Sequence, residues 1–145
     1  MRQEGVTNPD PRKRFWEDIE KEIEALQKEK HEILLMLYAN DPDAKELQPI
    51  MQRLKMRDIH HFIHGNVDTP ETHIRGSARI DFAYGTTGVL DSTRKAGIGA
   101  YNDICYTDHR HLFIDIDLGE LLSGYPPDSS PRERRILESN NPRVV

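Results

Sequence analysis

The stretch Pro11 to Asn40, PRKRFWEDIEKEIEALQKEKHEILLMLYAN, decides the fold class of this chain. Asp10-Pro11 ahead of the periodic region suits the N-cap and first turn of a helix, because proline there gives up an N–H that has no intrahelical acceptor. Phe15, Ile19, Ile23 and Leu26 then recur every three or four residues as one buried stripe, with Trp16 packing beside it. Glu17 before Lys21 and Glu24 before Lys28 supply i,i+4 pairs on the wet side. At His31 the periodicity stops. Ile33-Leu34-Leu35-Met36-Leu37 is a continuous apolar run, too short for another helix, and reads as a strand buried on both faces. A surface helix followed by a buried strand places the chain in the α/β class.

Downstream, Asn40-Asp41-Pro42-Asp43 has turn chemistry, and a short amphipathic helix carrying Ile50, Met51 and Leu54 is expected to open near Pro49. Asp58 to His64, DIHHFIH, alternates as a strand would, with Ile59, His61 and Ile63 on one face and His60, Phe62 and His64 on the other. Gly65 to Gly76 is a polar loop of a length that is often functional. Arg79 to Tyr84 resumes strand alternation and ends at Gly85. Val89 to Lys95 is then expected as a short helix before Gly97. Ile98 to Cys105 and Leu112 to Ile116 complete the expected strands, the second being richer in aliphatic and aromatic residues. Beyond Leu122 the composition turns to Ser, Gly, Pro and charge, a solvated tail with a short helix over Arg132 to Leu137. No internal repeat interrupts this order.

The whole chain has 145 residues, 36% apolar content and a formal charge of −5, which fits one modest globular domain. A mean hydropathy of −0.74 and a longest apolar run of only Ile33 to Ala39 exclude a membrane-spanning helix, which needs about 20 apolar residues. The opening residues MRQEGVTNPDPRKR lack the apolar core of a secretory signal, so a cytoplasmic or nuclear location is expected. Cys105 is the one cysteine, which removes intramolecular disulfides and multi-thiolate metal sites. The acidic balance also lacks the basic footprint of a stand-alone nucleic-acid binder.

Two clusters place ionisable groups beside strand ends: Arg79-Ile80-Asp81 and Thr107-Asp108-His109-Arg110. A carboxylate beside a histidine holds the imidazole in one tautomer and leaves its second nitrogen for a substrate or phosphate oxygen. The plainer reading of the same residues is an Arg79–Asp81 surface ion pair and a turn at Asp108-His109. His60, His61 and His64, with His73 nearby, invite a metal reading, but strand alternation would divide them between faces and no HExxH pattern is present, so they read as structural or surface residues. GTTG (Gly85 to Gly88) and GIGA (Gly97 to Ala100) lack the remainder of a phosphate-binding or dinucleotide motif and read as turns. Asp115 and Asp117 read as solvent-facing or paired acids on the final strand.

The order of these segments resembles the C-terminal half of the endonuclease/exonuclease/phosphatase superfamily. RGSARIDFAYGT (Arg75 to Thr86) is similar to the family's Arg-hydrophobic-Asp-aromatic strand, and YTDHRHLFIDIDL (Tyr106 to Leu118) to its Ser/Thr-Asp-His motif and final strand. The helix and strand from Pro11 to Met36 resemble those leading into the family's Gly-Asp-x-Asn motif, which here reads Leu37-Tyr38-Ala39-Asn40. The likeness covers Pro11 to Leu122. Within the superfamily it is nearest to abasic-site endonuclease domains of the kind attached to retroelement reverse transcriptases, in which a TDHRG-FIDID-like segment precedes a Pro/Arg-rich stretch; His111 stands where such relatives have glycine.

By this resemblance the fold is a partial α/β sandwich, with residues 1–10 a disordered N-terminus, 11–122 the partial domain and 123–145 a tail or linker. It implies Mg²⁺-dependent hydrolysis of phosphodiesters, with nucleic acid as partner and no membrane. His109 would contact the scissile phosphate and Asp81 would orient His109. Asn40 would position the attacking water or the phosphate, and Asp108 would lie beside the metal; Arg79 would be structural. The family's motif aspartate falls on Tyr38, whose phenol supplies bulk where a compact anion is required. The family's N-terminal half, which carries the metal-binding glutamate, has no match here. The expectation is therefore a truncated domain, inactive alone, that exposes the inner face of its sheet. Two alternatives accompany it: a divergent metal-dependent DNA endonuclease completed by an N-terminal half in trans, and a non-catalytic interaction module.

Overall fold

The Asp10 carboxylate accepts hydrogen bonds from the Arg12 and Lys13 N–H groups at 3.0 and 3.3 Å, and Pro11 begins helix α1 (Pro11–Lys28). This computed structural model describes residues 10–123. The N-terminal segment before Asp10, the tail after Ser123 and the helix expected over 132–137 lie outside the described residues. On α1 the buried stripe is the expected one except at its start, where Trp16 takes the place of Phe15. Trp16 and Ile23 are buried, Ile19 and Leu26 pack against the same core, and Phe15 is half exposed. The indole takes the inner place because it covers more area and its N–H finds an acceptor, the Glu46 carboxylate at 3.1 Å. The i,i+4 ion pair that forms on the helix among the described residues is Arg14–Asp18.

Strand β1 (Leu34–Tyr38) pairs antiparallel with β3 (Asp81–Gly85), and β2 (Arg57–Asp58) pairs on the other side of β3, giving the order β1-β3-β2. The register runs from Leu34 opposite Gly85 to Tyr38 opposite Asp81. β1 is an edge strand and is not buried on both faces. Leu35 and Leu37 pack inward, whereas Leu34, Met36 and Tyr38 are 39%, 50% and 57% exposed. The apolar run thus marks two apolar faces, of which the described residues cover one. A second antiparallel sheet consists of β4 (Thr93–Ile98) and β5 (Leu112–Ile116). The chain is therefore a mixed helix-and-strand protein with small antiparallel sheets.

Helix α2 (Leu47–Arg53) opens before Pro49, because buried Asp41 accepts the Glu46 and Leu47 N–H groups at 2.8 and 2.9 Å. The segment read as the strand DIHHFIH is β2 followed by helix α3 (Ile59–His64). Asp58 caps that helix by accepting the His61 N–H, and Gly65 ends it with a φ of 74°. In this helix His60 and His64 lie on one face, their rings 4.6 Å apart, rather than alternating. The expected helix over Val89 to Lys95 is divided: α4 (Thr87–Ser92) ends where Thr93 turns extended, and Thr93 starts β4. Gly97 lies within that strand opposite Phe113, whose ring would stand 2.6 Å from any Cβ there. The expected strand over Ile98 to Cys105 is mostly irregular connection, and Leu112 to Ile116 is a strand as expected. Helix α5 (Leu118–Leu121) follows, capped by Asp117, which also meets Arg94 at 3.1 Å.

β3 separates two hydrophobic clusters. Phe82 and Tyr84 face the one built by Trp16, Ile23, Leu47 and Met51; Ala83 faces the other, with Ile59, Val89, Leu90 and Ala96. His60 sits partly buried near this wall. Burial, with Arg79 and His64 nearby, pushes its imidazole below the ordinary value of 6.5. The fold then favours neutral His60, and the unfolded chain takes up the proton first as pH falls. Stability is present above about pH 6.5 and is lost as pH falls through the depressed folded pKa. Thermal unfolding is expected to shift to lower temperature between pH 7 and 5, with a shallower decline in His60→Phe. An equal decline in that variant would assign the effect to other groups.

Candidate functional site

Asp81 is the first residue of β3, where the strand leaves the loop that follows Gly65. Thr72 fixes its backbone. The fully buried Thr72 hydroxyl accepts the N–H groups of both Ile80 and Asp81, at 2.9 and 3.1 Å. On the preceding turn, Arg79 is 3% exposed and donates from Nε to the Asp81 carbonyl at 3.0 Å while its guanidinium pairs with Asp58. Arg79 is thus a buried anchor of β3, and its ionic partner is Asp58 rather than Asp81.

The second segment reaches Asp81 from the connection between β4 and β5. The Thr107 hydroxyl accepts the His109 N–H at 3.2 Å, Ile74 N–H donates to the Asp108 carbonyl at 2.8 Å, and Arg110 N–H donates to the Thr72 carbonyl at 2.8 Å. These bonds form a short antiparallel bridge between His73 and His109. Arg110 is held apart from the site: its guanidinium donates to Glu71 and lies over the Tyr101 ring, and it keeps the Glu71 carboxyl below its ordinary value.

The result is a group of rings and carboxylates at the end of β3. His109 Nδ1 lies 2.9 Å from Asp81 Oδ2, with both side chains mostly shielded from solvent. Since a carboxylate only accepts, Nδ1 carries the proton and Nε2 is left as the working nitrogen. Tyr38 approaches the His109 ring edge-on with centroids 4.8 Å apart, and His73 does so from another side at 4.9 Å. His73 Nε2 is 3.3 Å from Asp108 Oδ2. Asn40, expected beside the phosphate, is exposed just beyond Tyr38 with a φ of 47°. Among the described residues its carbonyl accepts from Arg12 and its side chain makes no hydrogen bond to the His109–Asp81 pair.

Chemically, an oriented imidazole with a free Nε2 can donate to an anionic oxygen when protonated and accept a proton from water when neutral. His109, Asp81 and Asp108 are brought together; Asn40 makes no side-chain hydrogen bond to them among the described residues. Thr72 is the participant that the sequence did not single out, and His73, set aside there with His60, His61 and His64 as structural or surface, stands beside Asp108 and His109. Three of these side chains could together hold a cation. His73, Asp108 and His109 each offer one ligand atom, all within 4.8 Å of one another, whereas Asp81 is already engaged by His109. Mg²⁺ prefers an octahedron of oxygens, and two imidazoles with one carboxylate do not fit it. Neither a protein-family model nor a curated protein matches this chain.

Proposed function

We propose that this chain carries a phosphodiester-recognising site of the endonuclease/exonuclease/phosphatase type, in which His109 contacts a phosphate oxygen and Asp81 positions His109, and that it does not turn over on its own. What supports the reading is the 2.9 Å bond between His109 and Asp81, residues 28 apart in sequence and the pair that the resemblance joins. Protonated His109 donates from Nε2 to the phosphate, a charge-assisted bond, while Asp81 holds the ring through Nδ1. Turnover needs a compact base to orient water, and the corresponding place beside His109 holds the Tyr38 ring.

Two measurements test the two parts. Titration with dimethyl phosphate, followed by the ring resonances of His109, should give a saturable shift, weakened about tenfold in Asp81→Asn through loss of an oriented charge-assisted bond. Incubation of the chain with Mg²⁺ and a duplex carrying one abasic site should give no cleavage above the protein-free control. A His109 resonance indifferent to dimethyl phosphate would sink the site. Cleavage abolished by His109→Ala would instead favour the divergent endonuclease.

A second reading, a module that docks on another polypeptide, is favoured by the row Leu34, Met36 and Tyr38 left half exposed on β1. The same face would receive the complementary half in an endonuclease completed in trans. A cooperative, compact monomer at all concentrations in gel filtration would argue against either use of that face.

A further inference from the structure

We infer that His73, Asp108 and His109 form a binding site for one divalent d-block ion of the zinc and cobalt class, rather than for the hard Mg²⁺ ion of the superfamily. The three ligand atoms lie within 4.8 Å of one another, close enough to share one ion after small side-chain adjustments. Two imidazoles and one carboxylate are a donor set that borderline transition ions favour and that leaves at least one coordination position open to water or an anion.

The surroundings support that assignment. The three ligands come from two segments clamped together by the His73–His109 bridge and by the Ile74-to-Asp108 and Arg110-to-Thr72 backbone bonds, so they are held in place before an ion arrives. His109 gives its Nδ1–H to Asp81 and presents Nε2, the arrangement in which an outer carboxylate orients a metal-bound imidazole. At His73, Nδ1 accepts the Arg75 N–H at 3.1 Å, so the Nε2 proton points to Asp108. An ion at Nε2 takes the place of that proton. The ring proton moves to Nδ1, and the N–H of exposed Arg75 turns to water. Asp108 is 67% exposed and both imidazoles are partly exposed, which leaves the ion a path from solvent.

This inference stands on the geometry of the three side chains and not on the phosphodiester reading: His109 Nε2 either ligates the ion or donates to a phosphate, so the two are alternative occupants, and Co²⁺ binding, read directly, can succeed where dimethyl phosphate fails, and the reverse. The test is titration of the full chain with Co²⁺, followed by visible d–d absorption. The expected result is one equivalent bound, displaced by Zn²⁺ but retained against a large excess of Mg²⁺. His73→Ala and Asp108→Asn should each weaken Co²⁺ at least about tenfold with circular dichroism unchanged. If His73→Ala disturbs the loop, Asp108→Asn, at an exposed side chain, still decides between the outcomes. Absent d–d bands, displacement by Mg²⁺ at comparable concentration, or binding that survives both substitutions would overturn the site. So would binding lost in Cys105→Ser or in the His60→Ala, His64→Ala double variant, since the ion would then lie elsewhere.

Discussion

Asp58→Ala is expected to remove about 3–5 kcal/mol of folding stability, the cost of leaving a buried cation without its partner. Arg79 is 3% exposed; its Nη2 donates to Asp58 Oδ1 at 3.3 Å, and its Nη1 lies 2.8 Å from Oδ2. That second approach is off the N–H direction, so it acts through charge more than through an aligned hydrogen bond, and Nη1 has no other acceptor among the described residues. The Phe82 ring, 4.7 Å from the guanidinium carbon, closes the site from the apolar side. Asp58 also caps α3, so Asp58→Asn separates the two roles: an amide oxygen can still accept the His61 N–H, but the negative charge is gone. Urea unfolding should order the proteins as wild type, Asp58→Asn, Asp58→Ala in decreasing midpoint. Pairing Asp58→Asn with Arg79→Met should recover part of the loss, since the orphaned charge is removed as well. An Asp58→Ala midpoint equal to wild type would mean that Arg79 finds water or another anion.

Thr72→Val should cost about 2–4 kcal/mol, because two shielded N–H groups, those of Ile80 and Asp81, lose one shared acceptor. Valine keeps the shape and removes only the oxygen, so the loss is of polar satisfaction rather than of packing. The second expected effect is on the site. Asp81 is aimed at His109 by a backbone that Thr72 holds, and a loosened β3 entry should weaken the Asp81–His109 bond. The downfield Nδ1–H resonance of His109 is the measure. It should broaden or vanish in Thr72→Val at temperatures well below unfolding; a sharp, unshifted resonance would show that the pair is positioned without Thr72.

Elements set by local chemistry were legible in the sequence. Asp10-Pro11 announced α1 and the aliphatic-aromatic run announced β5, because capping and strand composition are properties of neighbouring residues. Errors arose where one short pattern suits two structures. Seven residues of DIHHFIH alternate as a strand and also fit a helix of under two turns, and Asp58 favours the helix because its carboxylate, while paired with Arg79, also accepts the His61 N–H. Thr93 could not be read as a strand start from Val89 to Lys95, since the pairing that extends it lies on β5, about twenty residues away. The same limit applies to the site. Asp81, Asp108 and His109 stood out by motif, but His73 is one of several histidines near the loop and acquires its place only through the backbone bridge to His109. Nothing within a few residues of Thr72 marks it as the acceptor that orders Asp81.

The position of β3 between two hydrophobic clusters has a consequence for how the molecule comes apart. One strand contributes Phe82 and Tyr84 to the first cluster and Ala83 to the second, so neither can dissolve without withdrawing a wall from the other. Cooperativity here is carried by a shared partition and needs no contact between the contents of the two compartments. Trp16, the one tryptophan, belongs to the first cluster. Its fluorescence is nevertheless expected to report on the whole: loss of the Ile59, Val89 and Leu90 packing on the far side of β3 should register in an indole of the other cluster, with both sides melting in a single transition.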